Sequence, residues 1–240
     1  MADNIFDSLP LFEEAIKFFK DKVPLTPKEF YRLEQEYKAK AFTISGIVSL
    51  DILNDILNEL QKVLDEGITF NEWRKSVNDL LERKGWDGLS PYRADNVFRT
   101  NIQTAYSVGS WKRMNDADVV KKRPYGMYDA VNDSRTRPTH LAMDRRVFPL
   151  DHPIWDTWWP PNGYRCRCAV RSLSERDVQR MGLTVETKIP EMVTPPGQLA
   201  RHLVPDPGFD QNPAKKAWEP DMSKYPDDLK RAYLRRAERS

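Results

Sequence analysis

Three side chains in one stretch of this sequence have the chemistry of metal ligands. The only two cysteines, Cys166 and Cys168, are separated by a single residue, and His140 precedes them in the same segment. Side chains at positions i and i+2 of a strand project from the same face, so we expect the two sulfurs to lie on one side. Together with the imidazole of His140 they suit Zn²⁺, and Asp133 is a candidate fourth ligand. A standard zinc ribbon has two residues between its cysteines and a second such pair, and this sequence has neither. The alternative is a pair of small buried thiols with His140 donating to a backbone carbonyl. The sequence leaves both interpretations open.

A second group of polar residues invites a catalytic interpretation. Asp133, Arg135 and His140 place a carboxylate, a guanidinium and an imidazole within eight residues. Such groups can act on a phosphodiester or a nucleotide. The same stretch also fits a turn capped by Asp133, with Arg135 in a local ion pair. Since the sequence has no glycine-rich phosphate loop and no paired catalytic carboxylates, we favour the turn and expect no catalytic residue.

Aromatic and proline residues precede the cysteines. Trp155, Trp158 and Trp159 are followed directly by Pro160 and Pro161. Tryptophan side chains bury large apolar areas, so we expect a loop that packs on its own core and is pinned by the prolines. A stacking platform for single-stranded nucleic acid is the alternative.

Charge is distributed unevenly along the chain, although the net charge is only +2. Residues 1–90 contain 12 lysines and arginines against 17 acidic residues, whereas residues 111–180 contain 14 against 9. We therefore expect the basic segment to face an anion, with simple surface solvation as the alternative. Basic side chains on one surface would bind DNA phosphates without sequence specificity. The candidates are Lys121, Lys122, Arg123, Arg137, Arg145, Arg146, Arg165 and Arg171, together with Arg135 and Arg167.

The composition is that of an ordinary globular protein, with 40% hydrophobic and 31% charged residues. No apolar run reaches the roughly 18 residues that a membrane-spanning helix needs. The first residues are acidic rather than basic, which argues against a secretion signal. Two cysteines this close together do not form a disulfide framework. We therefore expect a soluble protein of a reducing cytoplasm.

Local signals predict a helical region over residues 1–115. Apolar residues recur at helical spacing over residues 11–20 and 51–64. Thr26 and Thr69 each begin a capping-box pattern with a glutamate three residues later, and a longer helix is predicted over residues 90–114. The helix after Thr26 is expected to carry on one face Phe30, Leu33, Tyr37, Ala41 and Ile44.

The pattern changes to short strands after residue 123. Turn residues and prolines separate the predicted strands. These strands are Tyr125–Val131, Arg146–Leu150 and Cys168–Leu173. Ser174 then caps a short helix that Gly182 ends. Residues 184–226 are rich in proline and aperiodic, which predicts an extended or docking tail, and a basic helix follows over residues 227–238.

The sequence therefore predicts an α+β fold in three parts. A helical region over residues 1–115 is followed by a small mixed module over residues 116–182, which contains short antiparallel strands. An extended proline-rich tail and a terminal helix make up residues 183–240.

The chemical groups described above also form one ordered motif. The motif residues are Asp133, Arg135, Thr136, His140, Pro160, Pro161, Cys166, Arg167 and Cys168. Their order resembles the phage Mu F-like family of head morphogenesis proteins, in which Asp-x-Arg-Thr-x-x-x-His precedes Pro-Pro-x-x-x-x-Cys-Arg-Cys or a close variant. Residues 41–46, 65–69 and 99–106 also look similar to that family, so the resemblance covers roughly residues 25–175.

The resemblance implies a non-enzymatic minor capsid protein of a tailed phage or prophage. Such a protein would be made in the bacterial cytoplasm and lie inside the head near the portal, acting in head assembly and in DNA packaging or delivery. Its expected partners are portal, capsid or scaffold proteins and double-stranded DNA, with no membrane association. Some family members carry an added C-terminal toxin or nuclease domain, which we do not expect here. The charge distribution suggests that the acidic helical part docks on portal or capsid and that the basic module contacts the genome.

Two other functions are compatible with the residues. One is a nuclease or a nucleotide-modifying enzyme, for example of the ADP-ribosyltransferase kind, centred on Asp133, Arg135 and His140. The other is a free, non-specific DNA-binding protein without a role in the virion.

Overall fold

A computed structural model of the protein describes residues 13–33, 38, 40–215 and 227–237. The chain divides into two compact units. The first contains the described residues up to 109 and the helix at 227–237, and the second contains residues 110–215. Among the described residues, no helix is both long enough and apolar enough to cross a bilayer.

The first unit is mainly helical, as predicted. Before residue 110 it contains α1 (Glu13–Lys20), β1 (Val23–Pro24), α2 (Pro27–Arg32), β2 (Ala41–Phe42), α3 (Leu50–Glu66), α4 (Phe70–Arg83) and most of α5 (Pro91–Met114), whose last residues belong to the second unit. Helix α1 confirms the end of the first predicted helix, whose first two predicted residues lie outside the described ranges. Helices α3, α4 and α5 confirm the other predicted positions.

Local capping signals explain where these helices begin and end. The side chain of Ser49 caps α3, and Gly67 ends it with a left-handed φ of 71°, a conformation that glycine adopts without a steric penalty. At the start of α4 the side chains of Thr69 and Glu72 each accept a hydrogen bond from the other residue's amide. The apolar stripe of α3 is fully buried at Leu53, Ile56 and Leu60.

The prediction of one long helix after Thr26 is wrong beyond its first turns. The capping box at Thr26 forms, but α2 ends at Arg32 because Leu33 has an extended conformation, with φ −74° and ψ 143°. Strand β2 occupies positions predicted to continue the helix, and it pairs in parallel with β1. Two backbone amides of the β1 segment donate to carbonyls of the β2 segment at 2.9 and 2.8 Å. This pairing outweighs the helical spacing of the apolar residues. The predicted position at Tyr37 lies outside the described residues.

The second unit is a mixed α/β module. Its elements are α6 (Ala117–Lys122), β3 (Tyr125–Asp129), α7 (Pro138–Met143), β4 (Val147–Pro149), α8 (Ile154–Thr157), β5 (Ala169–Leu173), α9 (Glu175–Arg180), β6 (Met192–Val193) and β7 (Arg201–His202). The central sheet has the order β4-β3-β5, and both neighbouring pairs are antiparallel. These strands confirm the predicted α+β class. The short helices α6, α7 and α8 were not predicted.

Aromatic side chains fill the core of the second unit. Trp155, Trp158 and Trp159 are each at most 1% exposed. Trp159 packs edge to face against Trp111 and Trp155, with ring centroids 4.6 and 5.6 Å apart. The indole N–H of Trp155 donates to the carbonyl of Pro149 at 2.8 Å. The tryptophans therefore belong to the core, as predicted for a loop that packs on itself, and they are not an exposed stacking platform.

Residues 183–215 have little regular structure apart from the antiparallel pair of β6 and β7. They nevertheless contact the core of the second unit. Leu203 is buried in that core, the amide of Asp206 donates to the carbonyl of Asn162 at 3.0 Å, and the side-chain amide of Asn212 donates to the carbonyl of Trp155 at 3.0 Å. The last element, α10 (Asp227–Ala237), confirms the predicted terminal helix.

Candidate functional site

The Asp-x-Arg-Thr element forms a hydrogen-bonded turn between β3 and α7. The side-chain carboxylate of Asp133 accepts a hydrogen bond from the backbone amide of Arg135 at 3.0 Å. The backbone carbonyl of Asp133 accepts a hydrogen bond from the amide of Thr136, also at 3.0 Å. The Thr136 hydroxyl donates to the carbonyl of Val131. Arg135 also forms an ion pair with Asp133 at 3.3 Å. These contacts describe a turn capped by an aspartate.

Asp133 also connects this turn to the Cys-Arg-Cys element. The guanidinium of Arg167 donates two hydrogen bonds to the Asp133 carboxylate, at 2.7 and 2.5 Å, a bidentate geometry that is both short and directional. The Arg167 side chain is 17% exposed and that of Asp133 is 33% exposed. The hydrogen bonds from Arg167 hold the pKa of the Asp133 carboxyl well below its usual range. The carboxylate is therefore charged, and both of its oxygens are engaged.

His140 faces the two cysteines from helix α7. Pro138 begins this helix at a position where a missing N–H has no cost, and His140 follows one half-turn later with only 1% of its surface exposed. Its Nδ1 lies 3.7 Å from the Sγ of Cys166 and 3.5 Å from the Sγ of Cys168. Its Nε2 is buried without a hydrogen-bond partner among the residues that the structure describes. The two sulfurs are therefore the polar contacts of this ring.

The two cysteines lie before the strand that was predicted to contain Cys168. Arg165 has a φ of 56°, in the left-handed region, and the amide of Cys166 donates to the carbonyl of Gly163 at 3.2 Å. This turn is incompatible with regular strand geometry, so β5 begins only at Ala169. The expectation that both sulfurs share one side nevertheless holds, because both approach the same nitrogen. Both residues are buried and unbridged.

The paired thiols perturb each other's ionisation. The hydrogen bond from Cys168 lowers the pKa of Cys166 well below its ordinary value, and the contact with His140 lowers it further. The same thiol–thiol bond raises the pKa of Cys168, and burial raises it more. Ionisation of one thiol therefore opposes ionisation of the other.

Sequence reasoning missed two polar residues beside this cluster. Asn162 is fully buried directly after Pro160 and Pro161, which are buried and joined by a cis peptide bond. Its Oδ1 accepts a bond from the Tyr128 hydroxyl at 3.0 Å, and its Nδ2 donates to the carbonyl of Thr157 at 3.1 Å. Burial raises the pKa of Tyr128 well above its ordinary value. The position of Asn162 directly after two prolines could have marked it as a structurally important residue. Nothing in the sequence distinguishes Tyr128 from the other tyrosines.

Most of the basic candidates for DNA contact are engaged in ion pairs within the second unit. The pairs are Lys121 with Asp118, Arg123 with Asp177, Arg137 with Asp206, Arg146 with Glu186, Arg171 with Asp129, and Arg167 with Asp133. Each acidic partner lowers the positive potential near its cation. Lys122, Arg145 and Arg165 are exposed, and the last two have φ values of 61° and 56°. Most of the candidates therefore have an acidic partner within the second unit, and some of these, such as Lys121 and Arg171, are also exposed to solvent.

The geometry separates the residues of the catalytic interpretation. Asp133 contacts Arg135 and Arg167, whereas His140 contacts the two thiols. The groups that would act on a phosphodiester thus belong to two different sets of contacts. The residues of the candidate metal site do come together, since one ligand atom from each of His140, Cys166 and Cys168 lies within 4.8 Å of the others. Asp133 is not part of that set.

Comparisons with known proteins agree with the motif. Residues 54–171 match the family model described as Phage Mu protein F like protein. The chain is similar, at 30% identity over 248 residues, to a protein of Escherichia phage Mu provisionally named capsid assembly protein F; the match covers 88% of this chain and 56% of that protein. It is also similar, at 34% identity over 176 residues, to the Mu-like prophage FluMu F protein of Haemophilus influenzae. This match covers 68% of this chain and 42% of that protein. The chain therefore spans only about half the length of these relatives. No solved structure shows a significant match.

Proposed function

Because this chain belongs to the phage Mu protein F like family, we propose that it is a capsid assembly protein of a phage or prophage that acts in head morphogenesis. Within the particle, we place it inside the head near the portal, in few copies. Its partners there are portal, capsid or scaffold proteins, and it helps the head to package or deliver DNA. The name of the phage Mu relative, which refers to capsid assembly, supports the first of these statements.

The observation that carries a structural role is that the motif residues contact one another. Asp133 holds Arg167 through two hydrogen bonds, and His140 contacts Cys166 and Cys168. The first contact joins the turn before α7 to the segment before β5. The second contact joins α7 itself to that same segment. Residues used in this way fix the shape of a module, which is what an assembly component needs in order to present a constant surface.

The same contacts favour a non-enzymatic role over a nuclease or a nucleotide-modifying enzyme. A general acid or base must reach its substrate, but His140 is only 1% exposed. Asp133, the carboxylate of that interpretation, is bound through both oxygens by Arg167 at 2.7 and 2.5 Å, and Arg135 pairs with the same carboxylate at 3.3 Å. Loss of the motif residues should therefore impair folding or assembly, and purified chain should show no His140-dependent turnover of DNA, RNA or nicotinamide dinucleotide.

DNA contact is assigned to the exposed cations, of which Lys122 and Arg145 are the simplest to test. Arg145 has a left-handed φ, so Arg145→Gly removes its charge without adding backbone strain. The double variant Lys122→Ala with Arg145→Gly should bind a duplex more weakly and reduce the slope of log affinity against log salt by about 1.8. Fluorescence anisotropy over a salt series measures this. The exposed pair Arg176→Ala with Lys188→Ala is the control, and an equal loss in that control would contradict the assignment.

A gene replacement experiment tests the role in head assembly. The gene is deleted from a phage or prophage that encodes this chain, and DNA-filled heads are counted by electron microscopy after induction. We expect few filled heads without the gene, recovery with the wild-type chain, and no recovery with Arg167→Ala. An unchanged yield of filled heads after deletion would contradict the proposed role.

Cross-linking inside purified particles tests which part of the chain contacts which partner. The first ninety residues carry 17 acidic against 12 basic residues, which is why docking on portal or capsid is assigned to the first unit. We expect cross-links to the portal to come from lysines of that unit, such as Lys62 and Lys75. Portal cross-links confined to the second unit would reverse the assignment.

A further inference from the structure

A buried cluster of nitrogen and sulfur atoms lies in the second unit. His140, Cys166 and Cys168 are 1%, 2% and 5% exposed. One imidazole nitrogen, His140 Nδ1, is nearly equidistant from the two sulfurs, at 3.7 and 3.5 Å. The three atoms come from two segments, helix α7 and the turn before β5, so the fold rather than sequence adjacency brings them together.

These distances are those of neighbouring ligands around a tetrahedral zinc ion. With Zn–S bonds of about 2.3 Å and Zn–N bonds of about 2.0–2.1 Å, a tetrahedral ion separates a nitrogen from a sulfur ligand by about 3.5 Å. Both measured separations agree with that value within a few tenths of an ångström. The third separation, between the two sulfurs, is no more than 4.8 Å, compared with about 3.8 Å for two sulfur ligands of a tetrahedral zinc ion.

Hydrogen bonding alone accounts less well for this arrangement. A neutral imidazole nitrogen carries either one proton or one lone pair, so His140 Nδ1 cannot donate fully to two sulfurs. Its other nitrogen, Nε2, has no hydrogen-bond partner among the residues described, so no bond on the far side of the ring sets its orientation. Nδ1 is nearly equidistant from the two sulfurs, so a cation placed between the three atoms could contact all of them.

We infer that His140, Cys166 and Cys168 bind one Zn²⁺ ion through Nδ1 and the two Sγ atoms. Thiolate and imidazole ligands select zinc over magnesium, calcium or manganese. The two thiols lose their protons to solvent when the ion binds, and the imidazole binds in its neutral form. The described residues supply no fourth histidine, cysteine or carboxylate to this group, and Asp133 is held by Arg167 at 2.7 and 2.5 Å. We assign the fourth position to water.

The ion would connect α7 to the turn before β5 at the centre of the family motif. Asp133 and Arg167 join the same two parts of the chain a few residues away. This role does not depend on the proposed function, since a zinc-bound module could serve any protein that needs a fixed turn at this position.

Metal analysis of the full chain tests the inference. Protein is produced in zinc-supplemented medium and purified without chelators, and its metal content is measured by mass spectrometry. We expect about one zinc per chain in wild type and less than about a tenth of that in Cys166→Ser, Cys168→Ser or His140→Ala. His202→Ala removes an exposed histidine and should retain the metal. Zinc that persists in all three cluster variants would overturn the inference, because it would lie elsewhere.

A measurement on the wild-type chain keeps the test valid even if the variants do not fold. Zinc is removed with a chelator and replaced with Co²⁺. Tetrahedral thiolate coordination gives intense visible absorption bands and a thiolate-to-cobalt charge-transfer band in the near ultraviolet. We expect both, together with a higher melting temperature after metal is restored. A chain that is purified without zinc and gives no charge-transfer band with Co²⁺ would overturn the inference.

Discussion

Gly126 provides a sharp test of how the core of the second unit is packed. This glycine lies in β3 at the centre of the three-stranded sheet. A Cβ at this position would meet Trp155 Cζ2 at 2.8 Å, and side-chain carbons of Val170 and Leu150 at 3.1 and 3.2 Å. Trp155 cannot move aside freely, because its indole N–H donates to the carbonyl of Pro149 at 2.8 Å. Gly126→Ala should therefore overpack the core.

The expected size of this effect follows from two opposing terms. Overpacking of a close-packed core costs about 1–3 kcal/mol. Alanine also restricts the unfolded chain, which stabilises the fold by about 0.4–1 kcal/mol. We therefore expect Gly126→Ala to lower the free energy of unfolding by about 1–2 kcal/mol. In a unit of roughly 100 residues each kcal/mol lowers Tm by about 4–8 °C. Denaturant titration followed by tryptophan fluorescence, with a thermal scan by circular dichroism, measures both quantities.

A double-mutant cycle identifies the clash with Trp155 as the cause. Trp155→Phe removes the ring atom nearest to the added methyl group, so in that background Gly126→Ala should cost less than about 0.5 kcal/mol. The coupling energy between the two substitutions should then reach about 1 kcal/mol. The reasoning is refuted if Gly126→Ala stabilises the protein, or if it costs the same amount in both backgrounds.

Two further substitutions test the polar contacts of the site. Arg167 holds the pKa of Asp133 low, and such a carboxylate stabilises the fold above its unfolded pKa of about 4 and loses this contribution as the pH falls. The stability gap between wild type and Asp133→Asn should thus be larger at neutral pH than at about pH 3 in urea titrations, and a constant gap would contradict the pairing. Asn162→Ala removes the amide oxygen that accepts the hydrogen bond of the buried Tyr128 hydroxyl and should lower the free energy of unfolding by about 1–3 kcal/mol. The exposed control Asn132→Ala should change it by less than about 0.5 kcal/mol in the same denaturant assay.

The elements that could be predicted from the sequence are those fixed by nearby residues. The capping boxes predicted at Thr26 and Thr69 and the helix cap predicted at Ser174 all form, because their hydrogen bonds join residues only three positions apart. The predictions failed where residues distant in the sequence determine the local structure. The helical spacing after Thr26 gave no sign that β2 pairs with β1, and the six-residue helix α7 is too short for periodicity to reveal it.

The candidate site was predictable in its residue types but not in its contacts. The spacing of Cys166 and Cys168 indicated two sulfurs on one side, yet the left-handed conformation of Arg165 that produces this arrangement is a property of the folded turn. Asp133, the ion-pair partner of Arg167, lies 34 residues away in the chain, and no local sequence pattern predicts such a pair. For the same reason, counting basic residues did not show which cations have acidic partners, because ion pairs such as that of Arg146 with Glu186 form only on folding.

Quantitative mass spectrometry of purified, DNA-filled heads tests most directly whether this chain is a component of the particle. The heads are treated with protease and nuclease from outside before lysis, and the chain is measured against the portal and the major capsid protein. We predict a small, constant number of protected copies per portal in every preparation. Absence of the chain from filled heads, while it remains abundant in the lysate that produced them, would contradict its assignment to the head.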